Sequence, residues 1–267
     1  MVVGATKENP ATGRKADVLQ AAYLAGEASM RLIKPEHKTG DVPTTVEKIL
    51  EAFQCKFVEG FTSHQMLKNL LDAEKTIFFR TSEGQKKEYK QFDFAEGEVY
   101  GIDILVSTGE GKPKPAEAKT TVFRKTKETY LLKMKTSRAV YSEVTSNHGT
   151  FGFNIRSLED EKRARMGMLE CITHNLVTPY DVLYEKEGEL VALFKYTIMI
   201  SAGGAIVVAA PEFNQDLVKS ERTLQDENLK KLVVASLKKK TPKKTTPKAG
   251  ESSKEGGDKA APEAGKQ

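Results

Sequence analysis

Few of the residues that do chemistry in proteins are spaced here to do it. Of the four histidines, His37, His148 and His174 lie in a loop or near expected helix ends, without acidic partners at metal-ligand spacing. Only His64 stands in a suggestive place, on the polar stretch Thr62-Ser63-His64-Gln65 that follows a strand candidate at 56–58. Residues 109–112, Gly-Glu-Gly-Lys, invite comparison with a phosphate-cradling loop. That pattern needs an earlier glycine and a Ser or Thr after the lysine, and Pro113 stands there instead. Gly-x-Ser-x-Gly, Cys-x-x-Cys and His-Glu-x-x-His are all absent. Cys55 and Cys171 sit in apolar surroundings and are expected to be buried, reduced thiols.

Positive charge offers the other chemistry. The 267 residues carry a formal net charge of +5. From Leu237 onward nine lysines face four acids, so residues 1–236 are formally neutral. Beyond Leu237 the only apolar side chains are those of alanine and proline, so residues 237–267 cannot offset the entropy of ordering and are expected to be disordered. Lys238, Lys239, Lys240, Lys243 and Lys244 then form a basic arm suited to phosphate contact or to nucleolar targeting. Thr241-Pro242 and Thr246-Pro247 are proline-directed phosphorylation candidates, and each phosphate would weaken that arm's hold on a polyanion.

The elements that must position any site are α and β in mixture. Apolar spacing predicts helices over 14–33, with Thr12 as N-cap, and over 43–53, with Pro43 in the first turn. Further helices are expected over 136–147, over 157–176 behind a capping box opened by Ser157, and over most of 214–234. Strands are expected at 98–107, 120–124 and 206–210, with a hairpin over 180–200 turning at Glu187-Gly188. An α+β fold follows, its sheet largely antiparallel with helices on one side. Apolar residues make up 39% of the chain and its mean hydropathy is −0.47, and no run approaches the ~20 apolar residues that span a bilayer. Membrane insertion, a secretory leader and a fibrous fold are therefore not expected.

The segments Glu-Gly-Phe-Thr-Ser-His64, Glu-Val-Tyr-Gly-Ile-Asp103-Ile-Leu-Val-Ser and Leu-Val-Ala-Leu-Phe-Lys195-Tyr-Thr-Ile resemble the C-terminal half of type 2 methionine aminopeptidases. The resemblance implies the pita-bread fold, over residues 1–212, with 213–236 as a C-terminal helix and 237–267 as the lysine-rich tail. It also implies a two-metal site in which His64 matches a ligand histidine. Asp103 stands for one ligand glutamate, Lys195 for the metal-bridging glutamate, and Asp72 for the substrate-contacting histidine. The family's two aspartates come from a hairpin that would precede Met1, so the chain is expected to be a fragment or an incomplete gene model. A divalent pair needs anionic oxygens, and an ammonium at the bridging position reverses the sign. No metal, cofactor or catalytic residue is therefore expected.

The tracts KMKTSRAVYSEV, FNIRSLEDEKRARMGMLEC and VLYEKEGELVALFKYT, with the lysine-rich tail, are similar to the non-enzymatic, ErbB-receptor-binding proliferation-associated branch of that family. That likeness implies binding to structured RNA, ribosomes and pre-ribosomes, with receptor tails or transcriptional regulators as alternative partners. It also implies residence in cytoplasm, nucleus and nucleolus, and regulation of growth, ribosome production and translation. The branch's leucine motif is partial here, since Leu229-Lys-Lys-Leu232 is followed by Val233. Lys195 is expected in a shrunken, partly buried cavity with its ammonium on Asp103 and close to His64, taking the place of the metals as the positive centre.

Overall fold

A computed structural model describes residues 3–237, so the expected lysine arm and its two threonines lie outside the described residues. The longest strands are β4 (Val99–Ser107) and β10 (Val191–Ser201), both built from β-branched and aromatic residues. They pair antiparallel over nine positions, from Val191 opposite Ser107 to Met199 opposite Val99. Around them lie β1 (Lys56–Phe57), β2 (Thr62–Met66), β3 (Thr76–Phe78) and β11 (Gly204–Ala209). The order across this sheet is β11-β10-β4-β2-β3, with β1 paired to β4 beyond β2's register.

Alternation decides which face is buried. Tyr100, Ile102, Ile104 and Val106 of β4 and Phe194, Tyr196, Ile198 and Ile200 of β10 all point to one side and are buried. There they meet α1 (Gly13–Leu32) and α2 (Asp41–Ala52). Small residues let α1 approach closely: a Cβ on Gly26 would overlap the Tyr196 ring. The opposite face of the sheet carries Asp103, Leu105, Leu193, Lys195 and Thr197, and among the described residues no helix packs on it.

A second core serves a smaller lobe. It consists of a three-stranded sheet, β6 (Val122–Lys125) between β7 (Gly152–Asn154) and β8 (Val177–Pro179), against α3 (Lys135–Asn147) and α4 (Glu161–Thr173). Phe123, Val140, Val144, Phe153, Met168 and Leu176 fill it. A separate two-stranded ribbon pairs β5 (Lys114–Pro115) with β9 (Leu183–Tyr184).

Several expectations change in the structure. The stretch around His64 is a strand, because Ser63 turns into the core and its hydroxyl accepts the Asp103 backbone N–H at 2.8 Å. No hairpin turns at Glu187-Gly188: β9 pairs with β5, and the hairpin formed by β10 turns at 202–203 into β11. The helix expected over 157–176 begins only at Glu161. Ser157 spends its hydroxyl on the Asn154 carbonyl, and Asp160 is the cap, accepting the Arg163 N–H at 2.9 Å. The C-terminal helix contracts to α5 (Glu227–Val234). Of the residues before it, Gln215–Leu217 form a 3-10 turn, and the stretch that follows lies against the start of α1, where Val218 bridges Ala11 and Ser220 and Arg222 bind Asp17. Thr12 does sit at the α1 N-cap position, without a side-chain hydrogen bond.

Candidate functional site

The open sheet face, the loop after β2 and the edge of the small lobe enclose a groove of about 810 Å³. His64, Asp72, Asp103 and Lys195, widely spaced in sequence, all line it, together with Arg124, Met66 and Tyr180. Register explains the first pairing. Lys195 is directly opposite Asp103 on neighbouring strands, both on the open face. The ammonium donates to Asp103 Oδ2 at 2.9 Å.

That pair is not the buried one expected. The Lys195 side chain is 65% exposed and Asp103 27%, because the groove is wide open rather than shrunken. The ammonium keeps most of its water, and the pair therefore escapes the heavy desolvation cost of a buried one. Nor does Lys195 reach His64 by a hydrogen bond. Thr62 Oγ1 lies 2.8 Å from His64 Nε2, and Thr76 Oγ1 3.3 Å from Nδ1, so hydroxyls occupy both ring nitrogens. Burial lowers the His64 pKa from its ordinary range, opposed by the carboxylates of Asp72 and Asp103 and assisted by Arg124.

Asp72 is engaged from the other lobe. The Arg124 guanidinium donates to Asp72 Oδ2 at 2.6 Å, which raises the Arg124 pKa further. Sequence reasoning missed Arg124, Thr62 and Thr76. Thr62 and Thr76 stand on neighbouring strands whose pairing no local pattern announces, and nothing in the sequence links Arg124 to a residue 52 positions earlier.

Elsewhere the chemistry is quiet. Cys55 and Cys171 are free and buried, and burial pushes both thiols up to about 11. The glycine-rich loop serves the backbone. Gly111 has φ +67° and leaves no room for a Cβ beside the Phe57 carbonyl, which Arg80 also binds. Leu229 of the partial leucine motif is buried, and Leu232 and Val233 pack against the main core. Among the described residues, no three His, Cys, Asp or Glu converge as a metal site and no helix is long and apolar enough to cross a membrane.

No protein-family model matches the chain. It is 40% identical over 232 residues to the curved DNA-binding protein of Schizosaccharomyces pombe, covering 86% of this chain and 61% of that one. It is 40% identical over 236 residues to ErbB-3 binding protein 1 of Arabidopsis thaliana, covering 88% and 59%. Identity to proliferation-associated protein A of Dictyostelium discoideum is 33% over 249 residues, covering 92% and 64%. Methionine aminopeptidases 2-2 match at 22–25% identity over 72% of the chain. The solved structure of a thermophilic Arx1 superposes with a TM-score of 0.81 at 29% identity, over 90% of this chain and 68% of that one. The architecture is thus a portion of the pita-bread fold, as expected. The chain spans about three fifths of the length of the curated relatives it matches. Along most of its own length the chain is thus similar to ErbB-3-binding and proliferation-associated proteins, at 33–40% identity.

Proposed function

We propose that this chain is a non-catalytic aminopeptidase-fold protein that binds structured RNA and ribosomes, and thereby regulates growth, ribosome production and translation. One observation carries the non-catalytic part. The Lys195 ammonium lies on Asp103 in the middle of the groove, positive charge where a two-metal hydrolytic centre requires negative. His64, its ring nitrogens bonded to two threonines, offers no free lone pair in that arrangement. This donor set does not suit a pair of divalent cations.

Charge supports the nucleic-acid part. Within the small lobe, residues 122–179 hold ten Lys and Arg against six Asp and Glu, a formal +4. Since residues 1–236 are neutral, the rest of that body carries −4. Positive charge is therefore concentrated on one lobe and on the arm from Lys238 to Lys244, which favours salt-dependent phosphate contact without base reading. The fission-yeast relative's name, curved DNA-binding protein, agrees with that chemistry. Cytoplasm, nucleus and nucleolus are the compartments this reading assigns. The Arabidopsis relative's name favours a second reading, a scaffold for receptor tails or transcriptional regulators in which RNA contact is incidental.

Filter binding of a structured RNA separates the two. Replacing Lys238, Lys239, Lys240, Lys243 and Lys244 with glutamate should weaken binding and reduce the magnitude of its log–log salt slope by about four. An unchanged slope would overturn the assignment of RNA contact to the arm.

A further inference from the structure

Away from the groove, one helix face of the small lobe has the composition of an interface. Along α4, Met166 is 60% exposed and Leu169 66%, three residues apart on the outer side, while Ala164, Met168 and Cys171 face the core. The segment before α3 runs beside them. The Glu170 carboxylate accepts the backbone N–H groups of Lys133 at 2.7 Å and Met134 at 3.2 Å, and the Tyr130 ring stacks on His174. That fastening leaves Leu131 85% and Met134 45% exposed next to the α4 strip. Four large apolar side chains thus stand in water, flanked by the exposed ammonium groups of Lys133, Lys135 and Lys162.

We propose that this strip docks an acidic amphipathic helix of a partner protein. Exposed apolar patches rimmed by charge mark interaction sites, and methionine adapts its shape to a facing helix. A helix with apolar residues at i, i+3 and i+7 presents a matching stripe. The lysines on the rim, in a lobe of formal charge +4, favour acidic flanks on that helix and repel basic ones. Nucleic acid fits the strip poorly. Its centre is aliphatic, and one face of the nearby Tyr130 ring is already covered by His174, which leaves bases little to stack on.

The test uses the full chain with labelled methionine methyls and two synthetic helical peptides. One carries leucines at i, i+3 and i+7 with glutamate flanks, and the other has lysine in place of each glutamate. The acidic peptide should shift the Met134 and Met166 methyl signals and leave Met66 and Met199, on the sheet's open face, unmoved. Met166→Ser with Leu169→Ser should weaken it at least about tenfold. Both side chains are exposed, so the variant should keep the parent melting temperature. No binding of the acidic peptide, equal binding of the lysine peptide, or undiminished binding by the double variant overturns the proposal. So does a structured RNA that moves the same two methyls, or self-association that the double variant abolishes.

Discussion

The two lobes treat charge in opposite ways. Around the groove the charged groups come as pairs: Lys195 stands opposite Asp103 by strand register, and Asp72, in the loop after β2, is met by Arg124 from the small lobe. On the small lobe Lys133, Lys135 and Lys162 are exposed beside uncovered apolar side chains. Charge that is set by register and cancelled in place serves the sheet. Charge left over on a rim, at a formal +4 for residues 122–179, is available to a second molecule. The groove therefore leaves less uncancelled charge for a second molecule than the accessory lobe does.

That contrast rests on two separate cores, which can be broken one at a time. Ile102→Ala, in the fully buried layer beneath α1, should cost about 2–5 kcal/mol in chemical denaturation. Met168→Ala, in the small lobe's core, falls in the same class. Amide exchange should quicken mainly in the lobe that carries each substitution. Equal loss of protection in both lobes from either variant would make the two cores one cooperative unit.

Smaller effects are expected at the ion pairs. Lys195→Glu places two carboxylates directly opposite each other across β4 and β10, and should cost about 1 kcal/mol because water screens so exposed a position. It should not release methionine from a peptide, with or without added divalent metal. Metal-dependent release would overturn the non-catalytic reading. Arg124→Ala removes the pair with Asp72, which is about one third exposed on each side, and should cost about 0.5–1 kcal/mol. If Arg124→Ala proves neutral, the contact between β6 and the loop after β2 contributes nothing to stability.

How much of this was legible in the sequence follows from the range of each interaction. β4, α1 and α3 stood out because apolar periodicity is written locally, and the Asp103–Lys195 pair followed from a family likeness at both positions. The strand around His64 did not, since Thr62-Ser63-His64-Gln65 has no apolar alternation and is held as a strand by pairing with β3 and β4. The region over 214–226 has helix-compatible residues but spends its polar groups on Asp17 and Gln54, contacts from more than 160 positions away. The openness of the groove is not written in local patterning and is implied only by the family likeness, because it depends on what does not pack on the sheet. Burial was therefore assigned to Lys195 where the structure leaves it in water.

The smallest effect tests how wet that groove is. Burial holds the His64 pKa below 6.5, against the pull of Asp72 and Asp103 and together with the push of Arg124. In the unfolded chain the imidazole titrates near its ordinary value of about 6.5. As pH falls through that value the unfolded state takes up a proton that the folded state does not, so stability is present above it and is lost on the way down to the depressed folded value. His37 is shifted the same way by burial and contributes in the same direction, so one substitution removes only part of the slope. His64→Gln retains an amide that can meet the Thr62 hydroxyl and does not titrate. Its stability should therefore fall less than the parent's between pH 7 and pH 5, by under about 1 kcal/mol. Parallel stability curves for the two proteins would mean that the ring is hydrated in the folded state, and that the groove is open to water as far as the Thr62 and Thr76 hydroxyls.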